Sequence, residues 1–270
     1  TGGTATVVLT KAAGVSSASV NTLINSLSYQ NTSQDPTAGA RTITLAQIVD
    51  TGGVANGGVD TNNISVVSTV TVISVNDAPT VSATAINGSY TEDGSATSIF
   101  SGAAVSTIEA NQAIKSLTFT VGNISDGAAE KVNIDGTLVP LTNGATGTTT
   151  TNSMTYNITV TGGTATVVLT KAAGVSSASV NTLINSLSYQ NTSQDPTAGA
   201  RTITLAQIVD TGGVANGGVD TSNVSVSSTV TVVAVNDAPT VSATAINGSY
   251  TEDSSATSIF SGAAVSTIEA

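Results

Sequence analysis

The sequence predicts an all-β protein made of tandem antiparallel β-sandwich modules, with one short helix in each 160-residue repeat. Three observations carry that expectation. Val alternates with Ser and Thr over long stretches, the pattern of strands with one buried and one wet face. Gly-rich turns separate those stretches. Finally, residues 1–110 recur as residues 161–270, with 104 of 110 positions identical and six differing: Asn62/Ser222, Ile64/Val224, Val67/Ser227, Ile73/Val233, Ser74/Ala234 and Gly94/Ser254.

The elements follow in chain order. Thr4–Thr10 alternates and reads as a strand, and its repeat begins at Thr164. Val20, Leu23, Ile24 and Leu27 follow helical spacing behind Ser16 and Ser17, either of which suits an N-cap; the pattern returns over Val180–Leu187. Strand alternation resumes at Thr42–Ile48, Lys115–Val121 and Met154–Val160. In Asn223–Val232, Val takes every second place apart from Ser228. The Val67/Ser227 difference falls on the wet parity and Ile64/Val224 on the buried one. Thr and Val are β-branched and suit a pleated surface. Many short strands between Gly-rich turns point to an immunoglobulin-like sandwich, its core built from Val, Ile, Leu and Ala, since the chain has only 3 Phe and 5 Tyr.

Module joints are placed by backbone chemistry. Val75-Asn76-Asp77-Ala78-Pro79-Thr80 recurs as Val235-Asn236-Asp237-Ala238-Pro239-Thr240, between two strand-like runs. Pro blocks continuation of a ladder and Asn-Asp favours a turn. On this frame residues 1–78 are the C-terminal part of one repeat, 79–238 a complete repeat and 239–270 the N-terminal part of the next. A cut near Thr161 would instead divide each period into two sub-domains. The period exceeds that of solenoid units, so each module is long enough for its own core, and the chain reads as a slice of a longer array.

Composition narrows the chemistry. With 17 acidic and 6 basic residues the net charge is −11, a field that repels phosphate backbones and anionic headgroups, so nucleic acid is not an expected partner. No apolar run is long enough for a membrane helix. The chain has no His, Cys or Trp, which removes thiol nucleophiles, disulfides, structural zinc sites and His-based acid–base chemistry. Paired carboxylates remain, but Glu92 and Asp93 are adjacent and would point to opposite faces of a strand. The expectation is a protein that is not an enzyme. Without Trp a sugar-binding platform is also disfavoured.

Val-Asn-Asp-Ala-Pro-Thr followed by Tyr90-Thr91-Glu92-Asp93-Gly94 resembles the tandem cadherin-like and immunoglobulin-like extender repeats of giant bacterial RTX-type surface adhesins. So do Leu27-Ser28-Tyr29-Gln30-Asn31-Thr32-Ser33, Arg41-Thr42-Ile43-Thr44-Leu45, and Asp50-Thr51-Gly52-Gly53 with Asn56-Gly57-Gly58-Val59-Asp60-Thr61. The resemblance spans essentially the whole chain. It implies an extracellular, calcium-stiffened stalk on the bacterial cell surface that projects a binding tip for attachment or biofilm formation, with neighbouring repeats of the same chain as its partners. The alternative is a subunit of a self-assembling fibre or surface layer, whose partners would be like chains.

Calcium also has a basis in the residues, because only hard oxygen ligands are available. Candidates sit where turns are expected: Asp50, Asn56 and Asp60 with their repeats Asp210, Asn216 and Asp220, and the joint residues Asn76 and Asp77 with Asn236 and Asp237. Glu92 and Asp93 (Glu252 and Asp253 in the repeat) and Glu109 with Asn111 (Glu269 in the repeat) complete the set. The resemblance to cadherin-like modules implies that Asn76, Asp77, Glu92, Asp93, Glu109 and Asn111 converge at a joint. One ion bridging Asp77 to Glu92 and Glu109 is expected there, since Ser74 or Ala234 stands where the cadherin pattern has a further Asp. Elsewhere the simplest readings are structural. Asp126-Gly127 and Asp135-Gly136 read as hairpin turns, Glu130 as a solvated charge, Asp35-Pro36 as a turn start that Arg41 pairs with, and Thr149-Thr150-Thr151 as a polar loop. Asn56-Gly57-Gly58-Val59-Asp60 has part of the RTX nonapeptide but does not repeat every nine residues, so a β-roll is not expected.

Overall fold

A computed structural model describes residues 3–268, so Glu269 lies outside the described residues. The chain divides into two compact units, Thr1–Ser74 and Val75–Ala270. Among the described residues, strands in several sheets dominate, with two short α-helices, so the fold is all-β.

The first unit holds helix α1 (Ser17–Asn25) and strands β1 (Gly39–Val49) and β2 (Thr61–Val72), paired as an antiparallel hairpin. The Ser16 hydroxyl caps α1 by accepting from the Ser19 N–H at 3.2 Å. Thr4–Thr10, expected as a strand, forms none here, and no described residue of this unit is fully buried.

The second unit begins with β3 (Thr80–Ala85), β4 (Ser89–Thr91), β5 (Thr97–Ser98), β6 (Phe100–Ser106) and β7 (Ile114–Gly122). Then come β8 (Glu130–Ile134), β9 (Thr137–Pro140), β10 (Thr146–Thr148), β11 (Thr155–Thr161) and β12 (Thr164–Val175). Helix α2 (Ser177–Ser186), β13 (Ser188–Asn191), β14 (Gly199–Asp210) and β15 (Thr221–Val233) follow. The hairpin β16 (Thr240–Ala245) and β17 (Phe260–Ser266) comes last. A seven-stranded sheet runs β10-β11-β12-β7-β14-β15-β4 and a four-stranded sheet β5-β13-β8-β9, while β3 pairs with β6. The β4–β15 pairing is parallel and the other pairings are antiparallel.

Alternation accounts for the core. On β7, Leu117, Phe119 and Val121 point inward, as Val230 and Val232 do on β15. They meet Val132, Ile134 and Tyr189 of the four-stranded sheet and Val180, Leu183 and Ile184 of α2 in one buried cluster. Ser228, the exception in the Val run, is buried because its hydroxyl accepts from the Asn87 N–H at 3.2 Å. The buried cluster runs from Tyr90 to Val232; in β16–β17 the repeats of its residues are exposed, Phe260 at 65% against 1% for Phe100.

Two local expectations change. Glu130 is not solvated: it is fully buried, and its carboxylate takes two bonds from Arg201 Nε (3.1 and 3.2 Å) and one from Nη2 (2.9 Å). Arg201 also pairs with Asp126 at 3.4 Å. Asp126-Gly127 is not a two-residue hairpin, because Asp126 ties down a distant loop. It accepts from Thr197 Oγ1 (2.6 Å) and Asn191 Nδ2 (2.6 Å). Burial would raise the Asp126 carboxyl, but these bonds and the Arg201 charge bring it below the ordinary aspartate range. Asp135-Gly136 does turn β8 into β9, with φ of 52° and 82°. Asp135 in turn holds the Thr149–Asn152 loop, accepting from Thr149 Oγ1 and the Asn152 N–H at 2.7 Å each.

Candidate functional site

The linker before β3 enters a pocket of acidic and amide groups at one end of the seven-stranded sheet. Asn76 is buried and bonded on every side. Its carbonyl accepts from the Val219 N–H (2.8 Å), and its Nδ2 donates to the Val219 carbonyl (2.6 Å) and to Asp210 Oδ1 (3.2 Å). Its Oδ1 accepts from Gln112 Nε2 (2.6 Å). The next N–H, of Asp77, donates to Glu109 Oε1 at 2.7 Å. Gly212 and Gly218 make the approach possible. A Cβ on Gly212 would lie 1.9 Å from Asn76 Oδ1, and one on Gly218 would lie 3.0 Å from Asn76 Cβ.

The pocket is rich in oxygen. Asp210 lies at the end of β14, on the inward parity with Ile208, and is fully buried. Its Oδ1 accepts from the Gly212 N–H at 2.8 Å, whereas Asp210 Oδ2, Glu109 Oε2 and Gln112 Oε1 are buried with no hydrogen-bond partner. Burial, reinforced by the Asp220 and Glu109 charges, pushes the Asp210 carboxyl above the ordinary aspartate range despite the bonds from Gly212 and Asn76. Asp220, just before β15, has its own cation: Lys115 Nζ donates to it at 2.7 Å, and that bond with the one from Thr221 holds its carboxyl low.

Glu92 and Asp93 stand elsewhere. Glu92 follows β4, which pairs with the last residues of β15, whereas Asp220 precedes the first. The length of β15 therefore separates the two groups, on the order of 40 Å at about 3.3 Å per residue. The Glu92 N–H donates to the Val233 carbonyl (2.9 Å), Oε2 accepts from the Val235 N–H (2.8 Å), and Oε1 is buried without a hydrogen bond. The expected meeting of Asp77, Glu92 and Glu109 thus splits. Asp77 and Glu109 come together beside Asn76 and Asp210, and Glu92 meets Val235 in the following linker. The parallel pairing of β4, invisible to residue order, is the reason.

The other candidates form turns. Asn56 and Asn216 (φ 55° each), Asn111 (65°), Asp93 (57°) and Asp253 (65°) take the left-handed conformation. Asp93 Oδ1 accepts from Gln194 Nε2 at 2.9 Å. Asp50 and Asp60 keep the loop bond of their repeats, Asp50 N–H to the Asp60 carbonyl at 2.8 Å, but both remain solvent-accessible. Asn236 and Glu252 are exposed.

Among the described residues, no three acidic side chains gather tightly enough to hold a metal ion by themselves. The orphaned oxygens of Glu109, Asp210 and Gln112 nonetheless fit a hard cation, which takes carboxylate and amide oxygens alike and would relieve their burial. Gln112 and Lys115 were missed in the sequence because nothing local marks them. Among the described residues, no helix is long and apolar enough to cross a membrane. No protein-family model matches the chain, and no curated protein matches it.

Proposed function

We propose that the chain is a stretch of extender modules from a large bacterial cell-surface adhesin, a calcium-stiffened extracellular stalk that holds a binding tip away from the cell. In this reading each 160-residue module is an immunoglobulin- or cadherin-like sandwich of the seven- and four-stranded sheets with its joint near Pro79 or Pro239. The observation that carries it is the treatment of the linkers. Asn76 and Asp77 are held by Asp210 and Glu109 of the following module, while Val235, in the repeat of that linker, is held by Glu92 of the preceding one. A near-identical period joined through such anchored linkers suits a part whose purpose is length and stiffness.

Calcium would sit with Glu109, Asp210 and Gln112, and Glu92 would support the next joint from the other side. One ion bound to the native state adds about 2.7 kcal/mol at a hundredfold excess over Kd. Calorimetry in millimolar calcium against EDTA tests this: the melting temperature should fall on chelation, and an unchanged melt with unchanged small-angle scattering defeats the calcium assignment. Electron microscopy separates an isolated stalk, seen as single thin rods, from a laterally bundled fibre. The reading includes no catalysis. Turnover of glycosides, esters or peptides that disappears in a Glu92→Gln/Glu252→Gln variant would overturn that part.

A further inference from the structure

We propose that β15 is the tension member of the complete repeat: a pull applied through the two linkers enters at Val219, runs along the backbone of the strand and leaves at Val235, so that residues 77–218 are bypassed. The path is set by hydrogen bonds within residues 75–238, and its use in holding a stalk taut rests on the function proposed above. A pull from the N-terminal side meets the bonds of Asn76 first. The Asn76 carbonyl accepts from the Val219 N–H at 2.8 Å and its Nδ2 donates to the Val219 carbonyl at 2.6 Å, so one linker residue holds both backbone groups of Val219. Asp210 Oδ1 and Gln112 Nε2 grip the same side chain at 3.2 and 2.6 Å. Asn76 and Val219 are 143 residues apart in the chain, and Asp220 alone separates Val219 from β15.

At the far end of β15 the chain leaves through Val235, whose N–H donates to Glu92 Oε2 at 2.8 Å. The two linkers are therefore fastened at opposite ends of one extended strand. Such a strand has little slack, because its rise of about 3.3 Å per residue is close to the limit of a stretched chain. While the Asn76 bonds hold, the covalent backbone of β15 carries the pull. Its edges resist sliding. β14 pairs with it from Thr221 to Val232, and on the other edge β4 pairs in parallel with Thr231, Val232 and Val233. The Thr231 N–H donates to the Gly88 carbonyl at 3.0 Å and the Glu92 N–H to the Val233 carbonyl at 2.9 Å. β4 lies early in the repeat and β15 late, and the two run parallel. A pull that passes Asn76 and strips β3 from β6 consequently loads the β4–β15 pairing lengthwise, straining its bonds together instead of one at a time.

The test is unfolding of the full chain at constant force in optical tweezers, in EDTA, where the rate is the quantity read. The chain has no Cys, so a pair of introduced cysteines fixes where the DNA handles attach. Ile73→Cys with Ala238→Cys pulls through Asn76, and Thr80→Cys with Ala238→Cys pulls past it; all three positions are exposed. At one force the first pair should unfold about tenfold more slowly than the second, or slower still. Asn76→Ala should abolish that difference. Gly218→Ala, whose Cβ would lie 3.0 Å from Asn76 Cβ, should reduce it. Each variant is compared with itself in the two attachments, so a general loss of stability acts on both rates and does not imitate the effect. Equal rates for the two pairs in the parent chain overturn the proposal, and so does a difference that survives Asn76→Ala. The calcium assignment keeps its own melting test, because the pulling is done in EDTA.

Discussion

Residues 3–73 and 163–233 have nearly the same sequence and bury almost nothing in common. Both have a serine-capped helix, and both have the same hairpin with the same register shift, between Leu45 and Gln47 and again between Leu205 and Gln207. Yet Thr4–Thr10 is no strand and Val7 is 80% exposed, while Val167 in β12 is fully buried. The difference is the stretch 80–161, which pairs with and packs against 163–233. It supplies β7, which lies between β12 and β14 and bonds both, and most of β11, which covers the other edge of β12. A strand needs partners for its N–H and C=O groups, whereas a capped helix and a tight hairpin find most of theirs locally.

Paired substitutions can break or sharpen this comparison. The largest effect is expected at the buried ion pair. Arg201→Leu leaves Glu130 buried without its cation and should cost about 3–5 kcal/mol in urea unfolding. Arg41 donates to the carbonyls of Thr37, Gly39 and Ala40, and Arg41→Leu should change stability by less than about 0.5 kcal/mol. Equal losses would mean that the first repeat buries its arginine in solution. Next comes the helix face: Leu183→Ala should cost about 2–5 kcal/mol, and Leu23→Ala, at an exposed position in the isolated chain, about 0.5 kcal/mol or less.

A smaller effect, and one of opposite sign, is expected at Asp210. Its carboxyl is held above the ordinary range, mainly by burial, so its protonation favours the fold. That contribution is complete below about pH 4 and is lost as pH rises through the raised value. In EDTA at neutral pH, Asp210→Asn should therefore raise the melting temperature by a few degrees, with the gain fading toward acid pH. Asp50→Asn should do nothing measurable. Asp126 and Asp220 act in the other sense, their stabilisation being lost as pH falls through their lowered values, so the variant is compared with the parent at each pH. A destabilising Asp210→Asn in EDTA would show that the charge is needed without metal. The smallest effect belongs to the caps: Ser176→Ala should cost about 1 kcal/mol of the main transition, and Ser16→Ala should leave that transition unchanged while weakening the helical dichroism signal.

Glu130 shares strand parity with Val132 and Ile134, Arg201 with Ile203 and Leu205, and Asp210 with Ile208, so alternation already put three charges on inward faces. Reading Glu130 as solvated set residue type above parity. Of the residues expected at the joint, Asn76, Asp77 and Glu109 stand near one another, while Gln112 and the remote position of Glu92 followed no local pattern.

The sequence by itself determined the repeat, the strand alternation, the capped helices, the left-handed Asn and Asp turns and the hard-oxygen chemistry, because each rests on neighbours within a few residues or on composition. Tertiary structure alone decided that Arg201 is buried against Glu130, which end of β15 receives Glu92, and which carboxylates lose their water at Asp210 and Glu109. Those outcomes depend on partners far along the chain, such as β7 for β14 or Asn76 for Asp210, and a local pattern states that a face must be covered without naming what covers it.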